Sequence, residues 1–269
     1  MKKMIIAWVL AGMITLIAAY YQRLTGPSYP KKTTAEIRGI TYDLKLLRTH
    51  GCETDCEVSV PVDDNSVRGF MIYRKYPTND KWDTVAMKRM GSQMTAFLPK
   101  QPPAGKLEYY FIFRTGSNEY PVLKESPVVI RYKGEVPPFV LIPHILLMFF
   151  GMLLSTLAGL LGAFKIEKAR LYTFITFISL LIGGMILGPL VQQYAFGALW
   201  TGVPFGWDLT DNKTLIAFLA WVVALIANRK KFRPGFIIGA AIITLAIFSI
   251  PHSMFGSELN HATGTITTG

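Results

Sequence analysis

PFVLIPHILLMFFGMLLSTLAGLLGAFKIEKAR, residues 138–170, is a long apolar run closed by a cluster of basic side chains. Within 138–164 the one ionisable group is His144. A helix of that length rises past the hydrocarbon core of a bilayer, about 30 Å thick, and satisfies its own backbone amides there. Working outward, 4–21, 171–196, about 214–228 and 235–255 have the same character, the fourth extended at its start by 208–213. The sequence therefore predicts a membrane protein with five transmembrane helices.

The 51% hydrophobic content and mean hydropathy of +0.34 exceed what a soluble domain of 269 residues normally carries. The excess is uneven, because 22–136 has the polar turns and scattered charges of an ordinary folded domain. Four regions result: an N-terminal anchor at 1–21, a β domain at 22–136, a four-helix transmembrane bundle at 137–256 and a polar, flexible tail at 257–269. Lys2 and Lys3 followed by an apolar stretch also suit a cleaved signal peptide, but no clean small-x-small site follows, which favours a retained anchor.

Lys2, Lys3, Lys165, Lys168, Arg170, Arg229, Lys230, Lys231 and Arg233 fall in short flanks that alternate with loops almost free of Lys and Arg. Positive flanks stay in the cytoplasm, so the N-terminus is expected inside a cell inner membrane, with the large domain and the C-terminus periplasmic. Those nine cations and Glu167 account for most of the formal charge of +11. The basic balance is thus a topology signal, and no nucleic-acid partner is expected.

Strand-like runs rich in Val, Ile, Tyr and Phe occupy 36–46, 57–60, 67–73, 83–90, 94–98, 106–114, 119–123 and 126–132, separated by Asp, Asn, Pro and Gly turns. That number of short strands predicts an immunoglobulin-like or fibronectin-III-like sandwich. It contains no Ser-His-Asp set, paired-carboxylate cleft or phosphate loop, so no hydrolytic activity is expected, and the domain reads as a binding or spacer module. Cys52 and Cys56 are the only cysteines. In an oxidising compartment such a close pair is expected as a disulfide, the alternative being a metal site with His50.

Two histidines share a context, Ile142-Pro143-His144 near the outer start of the second span and Ile250-Pro251-His252 near the outer end of the fifth. Ionisable groups inside a membrane are functional candidates, and paired imidazoles from different helices ligate heme iron. The plainer reading is two interfacial imidazoles bonded to water or a carbonyl. Between them runs QQYAFGALWTGVPFGWDLTDNKTLIAFLAWVVAL, residues 192–225. Gly197-Ala198-Leu199-Trp200, Trp207-Asp208 with Asp211, and the opening Leu215-Ile216-Ala217-Phe218 resemble the tryptophan-rich signature of the cytochrome c assembly family of membrane heme handlers.

The resemblance implies His144 and His252 as axial heme ligands and Trp200, Trp207 and Asp208 as an exposed platform for the porphyrin edge and propionates. It departs from the family pattern in the six residues, 201–206, between the tryptophans, and in having only four spans after the β domain. The alternative for the loop is an interfacial aromatic belt with Asp208 and Thr210 capping the fourth span.

Two functions follow as expectations: binding or passing heme at the outer interface, as an assembly-type handler or b-type cytochrome in electron transfer, or an accessory subunit whose β domain docks a protein partner. Quinone-linked electron transfer is a third possibility for which no second pocket is identifiable. The expected surroundings are the lipid bilayer and a membrane redox or cytochrome assembly complex.

Overall fold

The computed structural model describes residues 1–251 and 256–267. Its helical part comprises α1 (Lys2–Thr25), α2 (Pro138–Ala163), α3 (Ala169–Leu180), α4 (Gly188–Phe196), α5 (Leu209–Ala227) and α6 (Pro234–Ser249). A π-helical turn, Leu181–Leu187, joins α3 to α4 into one continuous rod. Lys2–Thr25, Pro138–Ala163, Ala169–Phe196 and Leu209–Ala227 are each long and apolar enough to cross a membrane.

The fifth expected span, 235–255, is cut short. Its helix ends at Ser249, and its 16 residues cover about 24 Å at the α-helical rise. Ile250, which precedes Pro251, turns to an extended conformation with φ −76° and ψ 124°; the proline ring disfavours the α conformation at that position.

Helix α2 packs against α1, α3 and α6. At Gly159 an added Cβ would lie 2.5 Å from the Cβ of Ala241, so the missing side chain lets α2 and α6 approach closely. Trp221 on α5 is fully buried and donates to Thr244 Oγ1 on α6 at 2.7 Å. Asn228 closes the turn between these helices, accepting from Arg233 N at 2.7 Å. The basic segments gather at one end of the bundle: Met1–Met4 and Ile166–Lys168 line a common cleft, and Arg170 donates to the Arg229 carbonyl.

At the other end sits the β domain. A hairpin of β1 (Lys31–Ile37) and β2 (Ile40–Leu46) leads in. One sheet runs β3 (Thr49–Gly51), β11 (Val128–Lys133), β9 (Lys106–Thr115), β5 (Arg68–Lys75) and β6 (Asp83–Ala86), with β10 (Asn118–Val122) also on β9. A three-stranded sheet runs β4 (Cys56–Val60), β8 (Gln93–Leu98) and β7 (Lys88–Met90). All pairings are antiparallel except β3 with β11.

Alternation aims one face of each strand inward: Val58, Val60, Met94, Ala96 and Leu98 from the smaller sheet share a core with Met71, Tyr109, Phe111, Phe113 and Ile130 from the larger. The run 36–46 is two strands, because Arg38 (φ 54°) and Gly39 (φ 80°) reverse the chain in the left-handed region. The run 83–90 is likewise divided, at Met87 between β6 and β7.

The segment expected as a flexible tail folds back instead. Strands β12 (Glu258–Leu259) and β13 (Ile266–Thr267) pair as a hairpin. Leu259 N donates to the Ala104 carbonyl, Lys106 Nζ bonds Glu258 Oε1 at 2.9 Å, and Arg131 Nη2 donates to the Gly256 carbonyl at 3.1 Å. Across the β11–α2 connection, Gly134 N donates to the Ala195 carbonyl at 2.9 Å.

Candidate functional site

His144 lies two turns into α2. Its Nδ1 is 2.8 Å from the carbonyl oxygen of Gly183. A carbonyl only accepts, so Nδ1 carries the proton and Nε2 keeps the lone pair. Gly183 belongs to the π turn, and its oxygen also accepts the N–H of Gly188. Such turns displace the helical hydrogen-bond ladder and are frequent at functional sites. Glycine is needed there for space: a Cβ at Gly183 would lie 2.7 Å from Leu147 Cβ, and one at Gly184 2.8 Å from Thr214 Cγ2. Gly188 faces the imidazole, its would-be Cβ lying 3.9 Å from His144 Cε1.

The aromatic loop is organised by buried carboxylates. Asp208 caps α5, its Oδ1 accepting from Thr210 N at 2.7 Å, while Oδ2 accepts from Ser257 N at 2.8 Å and Ser257 Oγ at 3.1 Å. One turn later Asp211 Oδ2 accepts from Thr201 N at 2.6 Å and from Thr201 Oγ1. Gln192 on α4 donates to Thr201 Oγ1, and Asn212 Oδ1 accepts from Val203 N. Gly202 is pressed between Asp211 and Trp200, which excludes any larger residue without movement. Lys213, only 2% exposed, donates to the carbonyls of Ile250 at 2.8 Å and Pro251 at 3.3 Å. It thereby satisfies acceptors that the end of α6 leaves open.

The five residues implied by the heme resemblance are thus treated differently by the fold. Asp208 is 3% exposed and held by the helix cap and Ser257, so it forms no exposed platform. Trp207 is 76% exposed. Trp200 donates locally to the Val203 carbonyl at 3.1 Å. His252 lies outside the described residues. Among the described residues no hydrogen bond or ring contact joins His144 to Trp200, Trp207 or Asp208. Sequence reasoning named Asp211 within the motif but not its role, and missed Thr201, Gln192 and Lys213 as parts of the site. The polar residues opening an apolar helix were a visible signal, but their partners, ten residues away for Asp211 and thirty-seven for Lys213, were not.

The disulfide expected between Cys52 and Cys56 is not formed, and both are free thiols. Cys56 is the first residue of β4, facing the core and 3.8 Å from the Glu57 carbonyl, whereas Cys52 lies half-buried in the preceding bend. Burial, and then the Glu57 carboxylate, push the Cys56 thiol up to about 11; burial and Glu53 also raise Cys52. His50 Nε2 instead meets Thr54 Oγ1 at 3.2 Å. Among the described residues no three His, Cys, Asp or Glu side chains come together as a metal site.

A second polar zone lines the seam between β domain and bundle. Arg131 and Lys133 on β11 lie beside the Phe196 ring at the end of α4, at 5.4 and 6.0 Å from its centroid. Burial lowers the pKa of Arg131, against the pull of Asp208 and Glu258; burial and then Arg131 lower that of Lys133. Lys106 is lowered chiefly by burial, with Glu258 opposing.

Fold and site together define a class: a β domain mounted on a bundle of apolar helices suited to a membrane, with a histidine and a carboxylate-held aromatic loop towards the end where the two meet. Comparison of the chain with protein-family models, with curated proteins and with solved structures finds no match.

Proposed function

We propose that this protein binds heme at the β-domain end of its helical bundle, where His144 and His252 would hold its iron. The supporting observation is the Nδ1–H bond from His144 to Gly183, a bond that a purely structural imidazole would also make and that the spectrum below tells apart from ligation. A metal-ligating histidine characteristically gives its other N–H to a carbonyl or carboxylate, which fixes the tautomer and leaves the second nitrogen for the metal. The chemistry of His144 fits a residue that would hold heme iron, and α2 and α6 pack side by side. Asp208 does not fit the propionate-binding role, its carboxylate being committed to α5 and Ser257. Heme would supply one-electron redox chemistry, while this chain holds the His144 ring and shields it between α2 and the glycines of the π turn.

The test is an absorption spectrum of protein expressed with ample heme and purified in mild detergent, before and after dithionite. A Soret band is expected, abolished in His144→Ala with His252→Ala and weakened in each single variant, with unchanged elution on size exclusion. No chromophore in the parent protein overturns the proposal.

A second reading, an accessory subunit whose immunoglobulin-like or fibronectin-III-like domain docks a partner, is favoured by the exposed apolar side chains of Met90 (62%) on β7 and Phe97 (50%) on β8 of that domain. In either reading the basic end faces the cytoplasm of an inner membrane and the β domain the periplasm. On spheroplasts a membrane-impermeant maleimide is then expected to label Cys52 faster than Cys56. Both rates should rise about tenfold per pH unit around neutrality, since the thiolate reacts and both thiols titrate above that range. Protection of Cys52 until lysis would reverse the orientation.

A further inference from the structure

Between α1 and α2 a groove of about 960 Å³ is walled by Leu16, Ala19, Tyr20 and Leu24 of α1 and by Phe149 of α2. Both helices start it at the β domain: at the helical rise, Leu16 lies about 14 Å below Thr25 and Phe149 about 17 Å below Pro138. That depth equals roughly half of a hydrocarbon core, the reach of one leaflet. The walls change at the top, where Arg23 and Lys45 enter the lining with Pro27 and Ser28.

Pro27 and Ser28 also form a wall of a smaller cavity, about 220 Å³, lined by Arg48, Tyr76, Lys106 and Arg131. Lys133 reaches the same wall, its Nζ 3.3 Å from Ser28 Oγ. Among the described residues the acids acting on this cluster are Glu258, which bonds Lys106, and Asp208, which pulls on Arg131. A one-leaflet apolar groove thus adjoins, across the Pro27–Ser28 wall, a cation-rich chamber with an excess of positive charge.

We propose that the two adjoining cavities hold one anionic phospholipid of the leaflet beside the β domain. Its acyl chains lie along α1 and α2, and its phosphate sits among Arg23, Lys45 and Arg48. The apolar length selects a lipid over a free anion, and the cations select an anionic headgroup over a zwitterionic one. The bound lipid would fill the gap between anchor helix and β domain and couple the two. This is independent of heme binding.

Native mass spectrometry on the full chain in mild detergent tests it, with phosphatidylglycerol, phosphatidylcholine of the same acyl chains, and inorganic phosphate as separate probes. Phosphatidylglycerol is expected to bind at least about tenfold more tightly than phosphatidylcholine, and phosphate alone not to bind. Lys45→Gln with Arg48→Gln should weaken phosphatidylglycerol about 25-fold, about fivefold for each cation removed. Ala19→Trp, which fills the groove without touching a charge, should weaken both lipids. Equal binding of the two lipids, binding of phosphate at the same site, or undiminished binding by the Lys45, Arg48 variant each overturns the proposal. Any Soret band should be unchanged in these variants, which separates this outcome from the heme test.

Discussion

Asp208→Ala is expected to lower the stability of the detergent-solubilised protein by about 2–4 kcal/mol, from loss of a helix cap together with buried donors left unpaired. The carboxylate receives Thr210 N on one oxygen and both Ser257 N and Ser257 Oγ on the other. Its removal therefore strikes the start of α5 and the tether of the C-terminal segment in one step. Asp208→Asn retains one acceptor oxygen and should recover part of the loss. Thermal unfolding followed by circular dichroism measures the difference, and an alanine variant that melts with the parent would show the cap and tether to be dispensable.

Gly134→Ala should have the other large effect. Gly134 N donates to the Ala195 carbonyl, and a Cβ at this position would fall inside the van der Waals shell of the Tyr194 carbonyl oxygen. That collision is with backbone, so β11 must move away from α4 at a cost of about 2 kcal/mol or more. The adjacent Lys133 peptide is a trypsin site. Its cleavage should accelerate about 30-fold if digestion follows the population of the opened junction. Unchanged proteolysis would mean that the junction yields without opening.

The division into apolar spans and a β domain was legible because both signals are local: long apolar runs for helices, short β-branched and aromatic runs between turn residues for strands. For the C-terminal segment, what the sequence did not show was a partner remote along the chain. Ser257 and Glu258 look like a polar tail until Asp208 and Lys106 are seen against them. Short spacing made Cys52 and Cys56 look like a bonded pair, but β4 begins at Cys56 and turns that side chain into the core. The length of the last helix was misjudged from hydropathy alone, which does not register the backbone restriction that Pro251 places on Ile250.

At the site, the pattern singled out His144 as an ionisable residue in an apolar helix, but the carbonyl that holds it belongs to a π turn thirty-nine residues away. The aspartate before α5 was readable as a cap. The second function of its carboxylate, on Ser257, was not.

The folded-back tail also changes how the two halves are mounted. The β domain is joined to the helices at its start through α1, at its end through α2, and again by the hairpin that follows α6. Two attachment points leave an axis about which a body can rock; a third, placed off that axis, removes it. A pull on the β domain is therefore delivered to the far end of the chain as well as to its middle, and through Lys213 to the carbonyls that close α6. Force applied to the β domain has a mechanical line to Ile250 and Pro251, just before His252.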